Sequence, residues 1–122
     1  MSNLELAADK IAIMDVVYKY CRAIDRLDRE LLESVFHEDS IHHHGEYQGP
    51  SAQFCDFAFD ILLKMEHTQH LVGNILVEVE GNIAYSESYW QAFHRIAKGK
   101  DFSGSGGFVA DHDPSIDEDV FV

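Results

Sequence analysis

The 122-residue chain has little cysteine, little proline and few basic side chains. Its two cysteines, Cys21 and Cys55, show no CxxC spacing, which excludes a disulfide framework and fits a reducing cytoplasm. Only 9 Lys and Arg oppose 22 Asp and Glu, for a formal net charge of −13. Such a charge repels phosphate backbones and anionic lipid, so we expect neither nucleic acid nor a membrane surface as a partner.

We expect no targeting signal, and the sequence has no long apolar run. The N-terminus, MSNLELAADKIAIMD, carries acidic residues where a signal peptide needs a basic flank, and no run is long enough to span a bilayer. We therefore expect a cytoplasmic protein whose partner is a small molecule or another protein. The apolar fraction of 46% is ample for a packed core, and the length suits one domain.

The first half of the chain has the spacing of helices. Between Leu6 and Leu27, apolar residues recur at three- and four-residue steps and predict an amphipathic helix. Asp28 is predicted as the N-cap of a second helix, RELLESVF, because its carboxylate can accept the free amides of a first turn. A third helix is predicted from Pro50 to Met65, with proline in its first turn. The intervening HEDSIHHHGEYQGP predicts one or two short strands.

In the second half of the chain, the spacing of the apolar residues changes at His67 from that of a helix to that of strands. The segment HLVGNILVEVEGNIAYSESYWQAFHRIA is rich in β-forming residues, and its EGN predicts a hairpin turn. Beyond Lys100 the sequence turns Gly- and Ser-rich and then acidic. Only GGFVAD indicates another strand there, and residues 111–119 are predicted as loop or disorder. The order of elements implies an α+β fold in which helices pack on one curved sheet.

His70, at the start of the first long strand, is the strongest candidate for chemistry. Asp25 lies next to the apolar stripe of the first helix, and a partly buried carboxylate there costs free energy unless it is paired. A His partner would be oriented by the carboxylate and stabilised in its protonated form, which makes it a usable base near neutral pH. The alternative is structural, with His70 hydrogen-bonded at a strand edge and Asp25 exposed near a helix end.

Metal and nucleophilic chemistry have weaker support in the sequence. Because His42, His43 and His44 are adjacent, His43 points away from the other two on a strand. The pair His67 and His70 would suit a helix face, but the chain changes to strand at this point. We therefore expect no bound metal. The sequence also lacks the nucleophile elbow and the phosphate-binding loop.

The serines and aromatics of AYSESYWQAF have two interpretations. Aromatic residues favour strands and pack sheets, whereas the interleaved serines would line a polar pocket. Strand alternation divides this segment between two faces, with Ser86, Ser88 and Trp90 on one and Tyr85, Tyr89 and Phe93 on the other.

The chain resembles the SnoaL-like group of the nuclear-transport-factor-two superfamily over about residues 5–98, through YCRAIDRLDRELLESVFHED, GEYQGP and HTQHLVGNILVEVEGNIAYSESYWQAFHR. That group includes scytalone dehydratase, bile-acid dehydratase, hexachlorocyclohexane dehydrochlorinase and polyketide cyclases. The resemblance implies a cone: a curved antiparallel sheet packed against three helices of the N-terminal half and enclosing a pocket. It divides the chain into a cone domain, residues 1–100, and an atypical Gly-rich and acidic segment, residues 101–122, partly strand and partly disordered.

The resemblance also implies site residues and a reaction. In the dehydratase and dehydrochlorinase members, an Asp late in the first helix pairs with a His that opens the strand after the third helix, and Asp25 and His70 match these positions. The implied reaction is cofactor-independent elimination or isomerisation of a small hydrophobic, cyclic substrate, with His70 as the base. Tyr20, Ser88 and Trp90 are predicted to bind that substrate. The alternative is a non-catalytic ligand-binding or assembly module of the same fold.

The position of Tyr20 sets a condition on this site. Tyr20 matches a first-helix Tyr that contributes in several of the dehydratases. It lies five residues before Asp25, which is about 140° around an ideal helix. The two side chains therefore converge only if the helix bends or ends near Asp25.

The chain departs from the family after Lys100, where members usually continue with two more long strands. Either FSGSGGFVADHDPSIDEDVFV replaces this strand pair, or the pair is truncated and a partner chain completes the sheet. A third alternative is a shortened reading frame whose product is not a working enzyme. An incomplete sheet leaves an open edge, so we expect a homo-oligomer, a dimer or a trimer.

Overall fold

The computed structural model describes residues 2–97, 99–111 and 118–121. This part of the chain forms three helices and one six-stranded sheet. The helices are α1 (Asn3–Asp25), α2 (Arg29–Ser34) and α3 (Ser51–Leu62). The strands are β1 (Ile41–His44), β2 (Tyr47–Pro50), β3 (His67–Glu80), β4 (Ile83–Ala97), β5 (Lys100–Asp111) and β6 (Glu118–Phe121). The predicted α+β order of elements is confirmed.

Side-chain caps set the starts of α1 and α2. The Ser2 hydroxyl accepts the Glu5 amide, and the Glu5 carboxylate accepts the Ser2 amide. This capping box starts α1 before the predicted Leu6. Asp28 is the N-cap of α2, as predicted, with its Oδ1 3.1 Å from the Leu31 amide nitrogen.

Helix α1 ends at Asp25 in a Schellman motif. The Asp28 amide donates to the Ala23 carbonyl at 2.8 Å, and the Leu27 amide donates to the Ile24 carbonyl at 3.4 Å. Leu27 takes the left-handed conformation, with φ of 52°, that glycine usually supplies at this position. The helix therefore ends at Asp25, as the predicted convergence of the Tyr20 and Asp25 side chains requires.

The sheet has the strand order β2-β1-β6-β5-β4-β3. Neighbouring strands are antiparallel except β1 and β6, which are parallel. The predicted hairpin turn joins β3 and β4 at residues 81 and 82, where Gly81 has φ of 61°. An extra residue bulges β3 between Val72 and Ile75, and bulges bend a strand and increase its twist. The bulge contributes to the curvature that the cone requires.

Strands β5 and β6 come from the segment where the sequence departs from the family. β5 begins at Lys100, earlier than the predicted GGFVAD strand, and pairs with β4. β6 lies between β5 and β1, so this segment itself supplies a C-terminal strand pair. Of the loop predicted at residues 111–119, residues 112–117 lie outside the described part of the chain. The division at residue 100 and the homo-oligomer stay predictions.

The three helices share one apolar core on the inner face of the sheet. Its buried members include Tyr20, Ile24, Leu32, Phe54, Phe59 and Leu62. On β4, Ser86 and Ser88 are buried whereas Tyr85 and Tyr89 are exposed, so the predicted alternation is correct at these positions. Within the described residues, no helix is long and apolar enough to cross a membrane.

His42 on β1 is the largest of the buried polar residues in the described part of the chain. It is 0% exposed, and its ring stacks on Phe54 with centroids 3.6 Å apart. Burial first, and then the nearby His44 and His43, lower the pKa of His42 to about 3. The unfolded chain takes up this proton near the ordinary His pKa of about 6.5. The contribution to stability is therefore complete above that pKa and is lost as the pH falls toward 3.

We expect His42→Leu to remove this pH dependence. Between pH 7 and pH 5, the unfolding free energy of the wild type should fall by about 2 kcal/mol relative to that of the variant. Urea unfolding at the two pH values measures the difference. His43→Leu, half-buried on the opposite side of β1, is the matched control. An equal pH response of the two variants would contradict the assignment to His42.

Candidate active site

Asp25 holds His70 at two points. Its Oδ1 lies 2.8 Å from the imidazole Nδ1, and its Oδ2 accepts the backbone N–H of His70 at 2.8 Å. The side chains are mostly buried, 13% exposed for His70 and 19% for Asp25. An ionised carboxylate only accepts hydrogen bonds, so the Nδ1 of the neutral ring carries the proton and Nε2 keeps the free lone pair. The contact also fixes the orientation of the ring.

The fold brings these residues together from 45 positions apart in the sequence. Helix α1 packs against β3, and the Schellman motif ends the helix with Asp25 at its last turn. His70 lies near the start of β3, where alternate residues turn toward the helices. The predicted pair is thus a direct contact, while its catalytic role stays a prediction.

Two cavities meet at His70 in the described part of the structure. The larger, about 260 Å³, lies among α1, α3 and the sheet, and its lining includes Ile24, Phe54, Phe57, Ile61, Met65, His94 and Phe102. The smaller, about 20 Å³, is more enclosed, and its lining includes Val17, Cys21, Val72 and Ser88. Four residues line both cavities: Tyr20, His44, His70 and Trp90. The volume of the smaller cavity is enough for about one water molecule.

The three predicted substrate-binding residues all lie at these cavities. Tyr20 is 6% exposed, and the Trp90 ring centroid lies 5.8 Å from that of His70. The Ser88 Oγ and the Trp90 Nε1 are buried and have no hydrogen-bond partner among the described residues. Their binding of a substrate stays a prediction, because no ligand contact defines it.

His94 also reaches the larger cavity, although the sequence patterns did not place it there. Its ring centroid is 5.5 Å from that of His70, and its Nδ1 lies 3.1 Å from the Thr68 Oγ1. Burial first, and then His70, lower the pKa of His94, while the charge of Asp25 partly opposes this. Continuing the alternation of β4 from Trp90 by four residues indicates the same face, so a signal for His94 existed.

His44 is the second histidine that the sequence patterns left outside the site. It lines both cavities from β1, and its ring stacks on that of His42 with centroids 5.7 Å apart. Burial first, and then His70, lower the pKa of His44. Strand alternation put His42 and His44 on one face, but it did not say that this face reaches His70.

The cavities offer uncharged groups and imidazoles to a ligand. Their described lining residues include no Lys, Arg, Asp or Glu. Burial first, and then the negative charge of Asp25, raise the pKa of Cys21 to about 12, so this residue stays a thiol near neutral pH. Across the described residues, no group of three His, Cys, Asp or Glu side chains could hold a metal ion. The site is therefore suited to an uncharged molecule.

A larger depression on the outer face of the sheet lacks comparable chemistry. It measures about 500 Å³, and its described lining is Gln69, Leu71, Gln91, Ala92, Phe93, Ser103 and Gly104. None of these side chains takes up or releases a proton near neutral pH. This depression therefore offers no acid or base, whereas the two cavities on the inner face adjoin His70.

A curved sheet, three helices on its inner face and an Asp–His pair beside an apolar cavity define a small α+β pocket protein. The sequence matches the SnoaL-like domain over residues 5–114, and the chain belongs to this family. A comparison with curated protein sequences found no significant match.

Solved structures of similar proteins share the fold. LinA is 17% identical, with a TM-score of 0.85 over 100% of this chain and 91% of that chain. A protein of Novosphingobium aromaticivorans DSM 12444, provisionally named scytalone dehydratase, is 20% identical, with a TM-score of 0.82 over 100% and 89% of the chains. A nuclear transport factor 2-like superfamily protein of Salmonella enterica serovar Typhimurium LT2 is 18% identical, with a TM-score of 0.77 over 87% and 80%. The predicted cone fold is confirmed.

Proposed function

We propose that the protein is a cofactor-independent lyase or isomerase that removes a proton from a small, uncharged, hydrophobic molecule. His70 is the base, and Asp25 orients it. The observation that carries the proposal is the two-point contact between Asp25 and His70 at the wall of an apolar cavity. Membership of the SnoaL-like family and a structural relative provisionally named scytalone dehydratase support it.

The first step follows from the ring orientation. The Nε2 lone pair of His70 takes a proton from carbon, and the C–H electron pair forms a new double bond in the substrate. The imidazolium that results is stabilised by the negative charge of the Asp25 carboxylate. In dehydration, the hydroxyl group leaves with its bonding pair and takes the proton from His70, forming water. In isomerisation, the proton returns to another carbon.

The lining of the larger cavity supports an apolar, cyclic substrate. Phe54, Phe57 and Trp90 contribute aromatic rings to this lining, and aromatic rings pack well against a cyclic molecule. No described lining residue is a cation that would hold a carboxylate or phosphate, and the net charge of −13 repels anions. Tyr20, Ser88 and Trp90 are the residues that we expect to touch the substrate.

Turnover of three panels of uncharged cyclic compounds tests this proposal. β-Hydroxy ketones report loss of water, vicinal halides report loss of halide, and β,γ-unsaturated ketones report isomerisation. We expect the purified protein, without added metal or cofactor, to convert members of at least one panel, as measured by mass spectrometry of the products. Tight binding without conversion in all three panels would contradict the proposal and favour the non-catalytic ligand-binding module.

A further inference from the structure

Helix α1 has a second apolar face, on the side away from the core. Its buried face includes Val17 and Tyr20. Leu4, Ile11 and Tyr18 are instead 84%, 65% and 46% exposed. Tyr20 follows Ile11 by nine residues, which is about 180° around an ideal helix, so the two faces are opposite each other. A surface helix normally presents polar side chains on this side, and three large apolar residues there indicate a contact surface.

These three exposed residues, which we call the outer stripe, recur every seven positions. Seven residues fall about 20° short of two full turns, so the outer stripe runs nearly straight for about 21 Å along α1. Ala7 and Met14 lie between its members, at the second apolar position of each seven-residue repeat. Ala7 and the neighbouring Ala8 are small and exposed, which allows another backbone to approach closely. This pattern is typical of a helix that packs lengthwise against a second helix.

The charge of α1 indicates which helix fits. Asn3–Asp25 carries three basic and four acidic side chains, a net charge of −1, within a chain of net charge −13. Two copies can therefore approach each other here with little of the repulsion that the rest of the surface causes. The outer face of the sheet differs, because Glu78 and Glu87 are exposed there. The charges of α1 are also separated along it, with Glu5 in the first turn and Arg22 in the last. An antiparallel second copy of α1 is thus complementary in charge.

We propose that the outer stripe is a homodimer interface, in which α1 of a second copy packs antiparallel about a two-fold axis at Ile11. Ile11 then contacts Ile11 of the second copy, and Leu4 contacts its Tyr18. Glu5 comes near Lys19 of the second copy, and the helix dipoles are opposed favourably. A parallel arrangement would bring Glu5 to Glu5 and Lys19 to Lys19. The outer stripe is outside the described lining of the two cavities at His70, so the interface is independent of the proposed function.

Local contacts prepare α1 for this association. The capping box of Ser2 and Glu5 fixes the first turn, so Leu4 is held in a formed helix and little ordering cost remains on binding. Asp15 lies beside the outer stripe, and its carboxylate is 3.0 Å from the Lys19 Nζ. Lys19 therefore offsets one carboxylate within its own helix and a second across the interface.

Sedimentation at protein concentrations from about 5 to 500 μM tests the interface. We expect the wild type to pass from the monomer mass of 13.9 kDa to twice that mass over this range. Ile11→Glu places two carboxylates against each other at the two-fold axis, so its dissociation constant should rise at least about tenfold. A wild type that stays monomeric throughout would overturn the proposal, as would an Ile11→Glu protein that dimerises as tightly as the wild type.

Leu71→Glu is the matched control for this substitution. Leu71 is 65% exposed, as is Ile11, but it lines the depression on the outer face of the sheet. We expect Leu71→Glu to dimerise like the wild type. Circular dichroism of both variants establishes that the fold is retained. A dimer that Leu71→Glu dissociates and Ile11→Glu does not would lie on the sheet, which would overturn the assignment to α1.

Cysteine cross-linking tests the antiparallel arrangement. The variants are made in a Cys21→Ser background, so that the half-buried thiol of Cys21 takes no part. Under mild oxidation, a mixture of Leu4→Cys and Tyr18→Cys proteins should form a disulfide-linked dimer with one chain of each, because these positions face each other. Leu4→Cys alone should stay unlinked, since its two copies are about 21 Å apart along the helix axes. Efficient self-linking of Leu4→Cys would overturn the antiparallel arrangement.

Discussion

His70→Gln is expected to lower turnover by about 10²–10⁴-fold, the range that a positioned general base contributes. Glutamine has no basic nitrogen and cannot accept the proton that leaves carbon. The backbone N–H of residue 70 still donates to Asp25, so the helix-to-strand contact persists and the fold should be retained. Turnover of compounds from the three panels measures the activity. Circular dichroism and thermal unfolding establish the fold.

His67→Gln provides the matched control for this experiment. It makes the same chemical change in the same strand, but His67 is exposed and lines neither of the two cavities beside His70. We expect its activity to equal that of the wild type. If His70→Gln behaved like His67→Gln, the base would have to be another residue, and His94 would be the next candidate because of its distance of 5.5 Å from His70.

Substitutions of Asp25 should separate its effect on the orientation of His70 from its effect on the stability of the fold. In Asp25→Asn, the side-chain oxygen can still accept one of the two hydrogen bonds from His70. The amide N–H₂ replaces the oxygen that accepts the other one. If that amide faces Nδ1, it favours the tautomer with the proton on Nε2, which then has no lone pair for catalysis. We therefore expect turnover to fall by about 10²–10⁴-fold, with a small loss of stability.

Asp25→Ala should reduce both the turnover and the unfolding free energy. It leaves the imidazole and the backbone N–H of His70 without their acceptor in a mostly buried place. The expected loss of unfolding free energy is about 1–3 kcal/mol, in addition to a loss of turnover like that of Asp25→Asn. Urea unfolding of the two variants measures the loss of stability, and turnover assays measure the loss of activity. An Asp25→Asn protein with wild-type turnover would show that the carboxylate does not control the tautomer of His70.

The helices could be predicted from the chain because their signals are local. The apolar period of α1 and the Asp28 cap of α2 depend on residues within one or two helical turns. The predicted ends were less accurate. The capping box of Ser2 and Glu5 starts α1 before the predicted Leu6, and the helix predicted from Pro50 begins at Ser51. These errors concern single turns and leave the order of elements unchanged.

Strand β5 shows where local signals were insufficient. Its sequence, KDFSGSGGFVAD, is rich in Gly and Ser, which have low strand propensity, so only its end was predicted as strand. The backbone pairs with β4 from Lys100 to Asp111. Hydrogen bonding to a long neighbouring strand compensates for weak intrinsic preference, and such a neighbour is not visible in a local window of sequence.

The candidate site could likewise be predicted only in part from the sequence. The residue types, a strand-opening His and an Asp beside the stripe of α1, are present in the sequence, and the family resemblance paired them. The distances of 2.8 Å from Asp25 to the ring and to the backbone of His70 depend on the turn after α1 and on the packing of α1 against β3. His44 and His94 join them because the sheet curves around the helices.

Residue identity and spacing along the chain were therefore sufficient to predict the fold class and the strand faces of Ser88 and Trp90. They also made His70 a candidate catalytic residue. These properties repeat over two to four residues and arise from backbone geometry. The grouping of His70 with Asp25, His44 and Trp90 around two cavities required the folded chain. It depends on a helix end, a bulge and the curvature of a sheet, which act between residues that are distant in the sequence.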